Sequence, residues 1–244
     1  MRRAIIAVSF GTTHDDAAQG CILPVEEALR RAFPDWEVHR AWTARFICRK
    51  LRERGVSVEN ETEALARLRA EGVGRIVLAS THIIRGREYG MIQEAAGDLP
   101  VSAPLLDNVD DLRWMAGLLE GIAREEGRTL LVMGHGTDHA ANETYARLRA
   151  ELPDCVRLAC VEGAYSLDGV MASLEAIPGK RLVLMPLMLV AGDHARNDLA
   201  GNGEDSWKCR LQARGFDVSV RMQGLGALAA VQRRFAEKVS AVIQ

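Results

Sequence analysis

The chain repeats itself. "RAIIAVSFGTT" (3–13) is echoed by "RTLLVMGHGTD" (128–138), "AFPDWEVHRAWTA" (32–44) by "ELPDCVRLACVEGA" (151–164) with a one-residue slip, and "RIVLASTHIIRGRE" (75–88) by "RLVLMPLMLVAGDH" (181–194) without a gap. Such self-similarity constrains the fold strongly, because whatever unit one half forms the other half forms too. Apolar β-rich runs occupy Ala4–Ser9, Trp36–Ala41, Arg75–Ser80, Thr129–Met133, Val156–Val161, Arg181–Leu187 and Asp217–Met222. Helical period marks Val25–Phe33, Glu61–Ala70, Asp111–Arg124, Asn142–Leu152, Ser166–Ala176 and Ala227–Val242. Near-continuous apolar strands alternating with helices predict parallel sheets covered on both faces. The expected fold class is α/β, with two similar Rossmann-like domains over residues 1–126 and 127–244, the last helix able to pack back on the first domain. Two sheets of about four or five strands should face a central cleft, with the loops after their strands pointing into it.

Composition removes several function classes. Among 244 residues, 31 Lys and Arg stand against 33 Asp and Glu, a formal charge of -2, which is not the basic surface that nucleic acid demands. No apolar run approaches the roughly 20 residues of a membrane helix. The apolar run in Met1–Ser9 is too short for a signal peptide, so a cytoplasmic protein with neither a nucleic-acid nor a membrane partner is expected. The five cysteines include no C-x-x-C pair and read as mostly buried thiols rather than a disulfide framework or zinc site. There is no Walker loop, no G-x-G-x-x-G after a strand and no G-x-S-x-G elbow, so no organic cofactor is expected.

The chemistry-bearing residues sit where strands end. His135, between Gly134 and Gly136, follows one strand; Glu162 follows the next; His194 follows a third. The carboxyl ends of neighbouring parallel strands share one rim, where open α/β sheets bind ligands. Two imidazoles and a carboxylate suit a borderline divalent ion such as Co(II), Fe(II) or Ni(II), with coordination positions left open. The same three residues also read as unrelated polar loop groups. His139 offers an H-x-x-x-H spacing, but the intervening Gly and Thr favour a turn and a solvated histidine. In the first half the aligned positions hold Phe10, Thr43 and Glu88, so the metal set belongs to the second half. "THIIRGREYG" (81–90) supplies Glu88, able to guide a cation or accept a proton. Arg85 and Arg87, with Arg45, suit carboxylates on an acidic ligand, although each also reads as a solvated charge.

In this order and over nearly the full length, "VSFGTT", "THIIRGREY", "VMGHGT", "VEG" and "MLVAGDHARNDLAGNGEDSWK" resemble the anaerobic cobalt chelatases of the CbiK type, class II chelatases that act on sirohydrochlorin. The resemblance implies a ferrochelatase-like pair of domains, metal binding at His135, Glu162 and His194, and catalysis by the two histidines with Glu88 facing them. Sirohydrochlorin and cobalt are the implied partners, the divalent metal being a substrate, Co(II) first with Fe(II) or Ni(II) as alternatives. Backbone groups of Ser9, Phe10, Gly11 and Thr12, the Gly192 loop, and Arg45, Arg85 and Arg87 are then expected to hold the carboxylate-rich macrocycle. The implied activity is cobalt insertion in anaerobic cobalamin synthesis. Its rivals are iron insertion for sirohaem and a carrier that holds metal or tetrapyrrole without catalysis. Some relatives are exported and bind haem; without an export signal, His82 is not expected to do so. The assembly state is left open, a homo-oligomer among the options.

Overall fold

A computed structural model describes residues 1–243. The chain forms β1 (Arg3–Ser9), α1 (Asp15–Ala17) running into a π-helical turn (Ala18–Ile22), α2 (Leu23–Ala32), β2 (Glu37–Trp42), α3 (Arg45–Glu53), α4 (Glu61–Ala70), β3 (Arg75–Ser80) and α5 (Arg87–Ala96). It continues with α6 (Val109–Glu126), β4 (Thr129–Gly134), α7 (Glu143–Glu151), β5 (Val156–Cys160), α8 (Leu167–Glu175), β6 (Arg181–Pro186), a second π-helical turn (Ala195–Leu199), α9 (Trp207–Ala213), β7 (Asp217–Val220) and α10 (Ala229–Ser240). Two compact units result: Met1–Leu105 with the chain from Gly226 onward, and Leu106–Leu225.

Each unit is built on a parallel sheet. The first has the order β2-β1-β3, the second β5-β4-β6-β7, so the repeated segments occupy the same places in both. β1 shows why the strands pair in the interior: Ala4 to Ser9 are buried without a break. Ala4, Ile6 and Val8 pack with Leu65, Leu68 and Ile92, while Ile5 and Ala7 pack with Leu29, Val77 and Val239. At about 1.5–3 kcal/mol for each large apolar side chain buried, such two-sided burial holds the layers together.

The first sheet has three strands, fewer than the four or five expected. A would-be fourth makes one parallel bridge, Val101 to Leu78. Ser102 N donates to Leu78 O at 2.9 Å, but the next inward position is Pro104, which has no N–H, and the Ser80 N–H turns to the Ser102 hydroxyl at 2.9 Å.

The domain limits also move. α6 packs on α7, β4 and β5, so it belongs with the sheet that follows it, and the boundary expected at 126/127 falls at Leu105/Leu106. Gly127, in the left-handed region at φ 61°, is the C-cap of that helix. α10 packs on α2 and β3. Four helices escaped the periodicity reading: the three-residue α1, and α3, α5 and α9. The π-helical turns escaped it as well. Among the described residues, no helix is long and apolar enough to cross a membrane.

Candidate metal-capture site

The second unit brings three of the chosen side chains together, and glycine makes this possible. β4 ends at Gly134, where a Cβ would stand 2.8 Å from the Tyr145 ring and 3.0 Å from Cys160 Sγ. Gly136 has φ +78°, and a Cβ there would lie 1.9 Å from the carbonyl oxygen of Glu162. The loops after β4 and β5 are thereby zipped backbone to backbone. Val161 N donates to Gly134 O at 3.0 Å and Glu162 N to His135 O at 2.9 Å. Glu162 is thus held beside His135, its Oε2 4.0 Å from His135 Nδ1.

His194 arrives from the segment beyond β6. Leu187 N donates to Met133 O at 2.8 Å, which keeps that segment against β4. Arg196 N donates to Gly192 O at 3.0 Å in α register, and Ala200 N then donates to Ala195 O at 3.1 Å, this second bond having the wider register of a π-turn, a feature often found at functional sites. Ala195 and Leu199 anchor this turn in the core. The rings of His135 and His194 meet edge to face, centroids 4.8 Å apart at 88°.

The hydrogen bonds fix which nitrogen of each ring is available. His135 Nδ1 lies 3.0 Å from the carbonyl oxygen of Gly136, and His194 Nδ1 lies 2.6 Å from Asp198 Oδ2. A carbonyl or carboxylate oxygen accepts, so both Nδ1 atoms carry the hydrogen and both Nε2 atoms keep a lone pair. The side chains of His135, Glu162 and His194 are 48%, 57% and 37% exposed, open to an ion arriving from water. Among the described residues, no three His, Cys, Asp or Glu side chains form a ready-made metal cluster. The donors here approach one another without closing a cage. Sulfur does not join them: burial pushes the Cys160 thiol up to about 12, so it stays neutral, and a neutral thiol is a poor ligand. His139 stands apart as an N-cap, its Nδ1 accepting from Ala141 N at 3.1 Å.

The first unit carries the remaining predicted residues. Ser9 is 1% exposed and its hydroxyl accepts from Thr81 Oγ1 at 2.8 Å. Thr12 is buried, its hydroxyl accepting from His14 N at 3.2 Å. Gly11 has φ +99°, and a Cβ would press on the Trp42 ring at 2.7 Å. Phe10 is exposed and lies edge-on to the exposed Phe46 at 6.2 Å, an aromatic pair whose second member the sequence reading did not single out. Arg45 opens α3 and grips the buried Glu61 with both terminal nitrogens, Nη1 to Oε2 at 2.8 Å. Arg85 lies over Tyr89, 5.1 Å from the ring centroid. Arg87 and Glu88 fall in the first turn of α5, where a helix N-terminus favours the carboxylate. His82, hydrogen-bonded to Thr43 and Ser80 hydroxyls at 3.3 Å each, has its pKa lowered to about 4 by burial. A cavity of about 480 Å³ in this unit is lined by Arg40, Trp42, Glu59 and Arg67, among others, but by none of the residues chosen from the sequence.

A solvent-facing set of nitrogen and oxygen donors on the carboxyl-end rim of a parallel sheet is chemistry suited to a borderline divalent ion. Comparison with known proteins narrows that reading. Residues 3–244 match the family described as cobalt chelatase (CbiK). The chain is 34% identical to the sirohydrochlorin cobaltochelatase of Salmonella typhimurium, over 96% of this chain and 94% of that one. It is 30% identical to sirohydrochlorin cobaltochelatase CbiKC of Nitratidesulfovibrio vulgaris, over 88% and 81% respectively. The solved structure of SirB from Bacillus subtilis with Fe3+ shares the fold at a TM-score of 0.65 and 11% identity, covering 99% of this chain and 96% of that one. The chain belongs to the cobalt chelatase (CbiK) family.

Proposed function

We propose that this protein inserts Co(II) into sirohydrochlorin, the activity named for its relatives. The observation that carries the reading is the meeting of His135, His194 and Glu162, with both imidazoles presenting Nε2. The 4.0 Å approach of Glu162 Oε2 to His135 Nδ1 sets the carboxylate beside the ring that offers Nε2.

Insertion exchanges the ion's water shell for ring nitrogens and releases two pyrrole protons. His135 and His194 replace waters through Nε2, Glu162 offsets charge, and the exposed side leaves room for the macrocycle. As the ring nitrogens take over the ion, the freed His135 Nε2 accepts a proton, the general-base role an imidazole can fill. Glu88 takes the other. Arg85 and Arg87 meet substrate carboxylates, as do the backbone groups of Phe10, Gly11, Thr12 and Gly192. Ser9, buried against Thr81, supports the surface from beneath, and the exposed Arg45 is engaged by Glu61. The step changes no oxidation state and so calls for no organic cofactor.

The test is anaerobic initial rates on sirohydrochlorin with Co(II), Fe(II) and Ni(II), followed in the visible spectrum. Multiple turnovers with Co(II) fastest support the reading. Iron fastest moves the protein to sirohaem synthesis, and a spectral shift limited to one equivalent of protein makes it a carrier.

A further inference from the structure

The proposed catalytic set does not include the closest contact that His194 makes. We propose that Asp198 is a positioning residue for metal capture, holding the His194 ring in the tautomer and orientation that present Nε2 to the ion. The inference rests on His194 being a ligand, as proposed above.

The geometry points this way from two sides. Asp198 Oδ2 is 2.6 Å from His194 Nδ1, the length of a strong charge-assisted bond. The turn between them is fixed independently of that bond. Ala195 and Leu199 are fully buried on its inner side, while His194 and Asp198, four residues apart, emerge together on its outer side. Its exit is fixed too, because at Gly201 a Cβ would lie 2.2 Å from the carbonyl of Asn197. The carboxylate is therefore delivered to the ring by the backbone.

The two imidazoles differ in how they are held. His135 is oriented by a main-chain carbonyl, which no side-chain substitution removes. His194 depends on a replaceable carboxylate, the arrangement that fixes tautomer and raises ligand basicity when a histidine binds a metal.

The experiment uses the full chain labelled with 15N-histidine, in wild-type, Asp198→Ala, Asp198→Asn and His194→Ala forms. Long-range 15N–1H correlations read the His194 tautomer, and competition with a chromophoric chelator reads Co(II) affinity. In Asp198→Ala, His194 is expected to lose the Nδ1–H form, and Co(II) affinity to fall about 10–100-fold with an unchanged melting temperature. Asp198→Asn, whose amide oxygen still accepts, is expected to recover part of both. A His194 tautomer and a Co(II) affinity within about twofold of wild type in Asp198→Ala, against the cited 10–100-fold, overturn the inference. If His194→Ala leaves Co(II) affinity intact, the ligand reading of His194 fails by itself. The tautomer signal still decides whether Asp198 holds the ring.

Discussion

The two units share a strand order and differ at the strand ends. β2-β1-β3 and β5-β4-β6 are the same arrangement built from the echoed segments. After β1 the first unit presents Phe10, where the second presents His135 after β4; beyond β2 and β3 it has Thr43 and Glu88, where the second has Glu162 and His194. The difference teaches that buried strand interiors set the topology, whereas a few residues past each strand set the chemistry, so one can be kept while the other is exchanged. Histidine itself shows the contrast. His82 in the first unit is hydrogen-bonded to Thr43 and Ser80 and held neutral by burial, whereas His135 and His194 are part-exposed and engage their partners through Nδ1, leaving Nε2 a lone pair.

The comparison breaks most easily at the second unit's imidazoles. His135→Ala and His194→Ala are each expected to lower the initial rate of cobalt insertion about 10²–10⁴-fold while circular dichroism stays unchanged. A folded variant working at the wild-type rate removes that residue from the reaction.

Gly136→Ala follows, because its Cβ meets an unyielding backbone carbonyl at a positive φ. A cost of about 1–3 kcal/mol, seen as a lower melting temperature, is expected together with weaker cobalt capture. Gly11→Ala, whose Cβ meets the Trp42 side chain, should cost less. Equal losses would mean that the zipped loops are nothing special to the second unit.

His82 sharpens the contrast through pH. Its folded pKa, about 4, lies below the ordinary 6.5, so between those values the unfolded chain binds a proton that the folded chain refuses. The stability it contributes is full above about 6.5 and is lost as pH falls toward about 4. His82→Gln should flatten that acid limb in melting curves taken across the window; an unaltered limb would mean that the fold does not hold this ring neutral.

The smallest effect is expected from Phe10→His, which restores an imidazole at the aligned position. Thr43, tied to His82, brings no carboxylate beside it, so cobalt stoichiometry in equilibrium dialysis should stay at the wild-type value. A second equivalent bound would show that strand-end chemistry is more portable than the two units suggest.

Much of this was legible before any coordinates. Strand interiors could be read because two-sided burial leaves continuous apolar runs, and the repeat fixed their correspondence. α3 escaped because its buried residues, Ile47, Cys48 and Leu51, lie among basic ones, and α5 because Gly90 interrupts it. α9 spans seven residues after its Ser206 cap, too short for a clear period. The boundary at α6 was misplaced because a repeat marks where similar strands begin and says nothing of which sheet the intervening helix covers. His135, Glu162 and His194 stood out by type and strand-end position. Asp198 did not, although its spacing of four from His194 was visible; what makes that spacing matter is a buried turn aiming both side chains the same way.

The return of α10 has a consequence for how the chain is made. The second unit is one uninterrupted stretch, Leu106–Leu225, whereas the first needs Val239 to finish covering Ile5, Ala7, Val77 and Ala79. A ribosome releasing the chain from its amino end therefore delivers a first unit with one face still wet. The later-synthesised unit holds all its parts first, reversing the usual amino-terminal-first order of maturation.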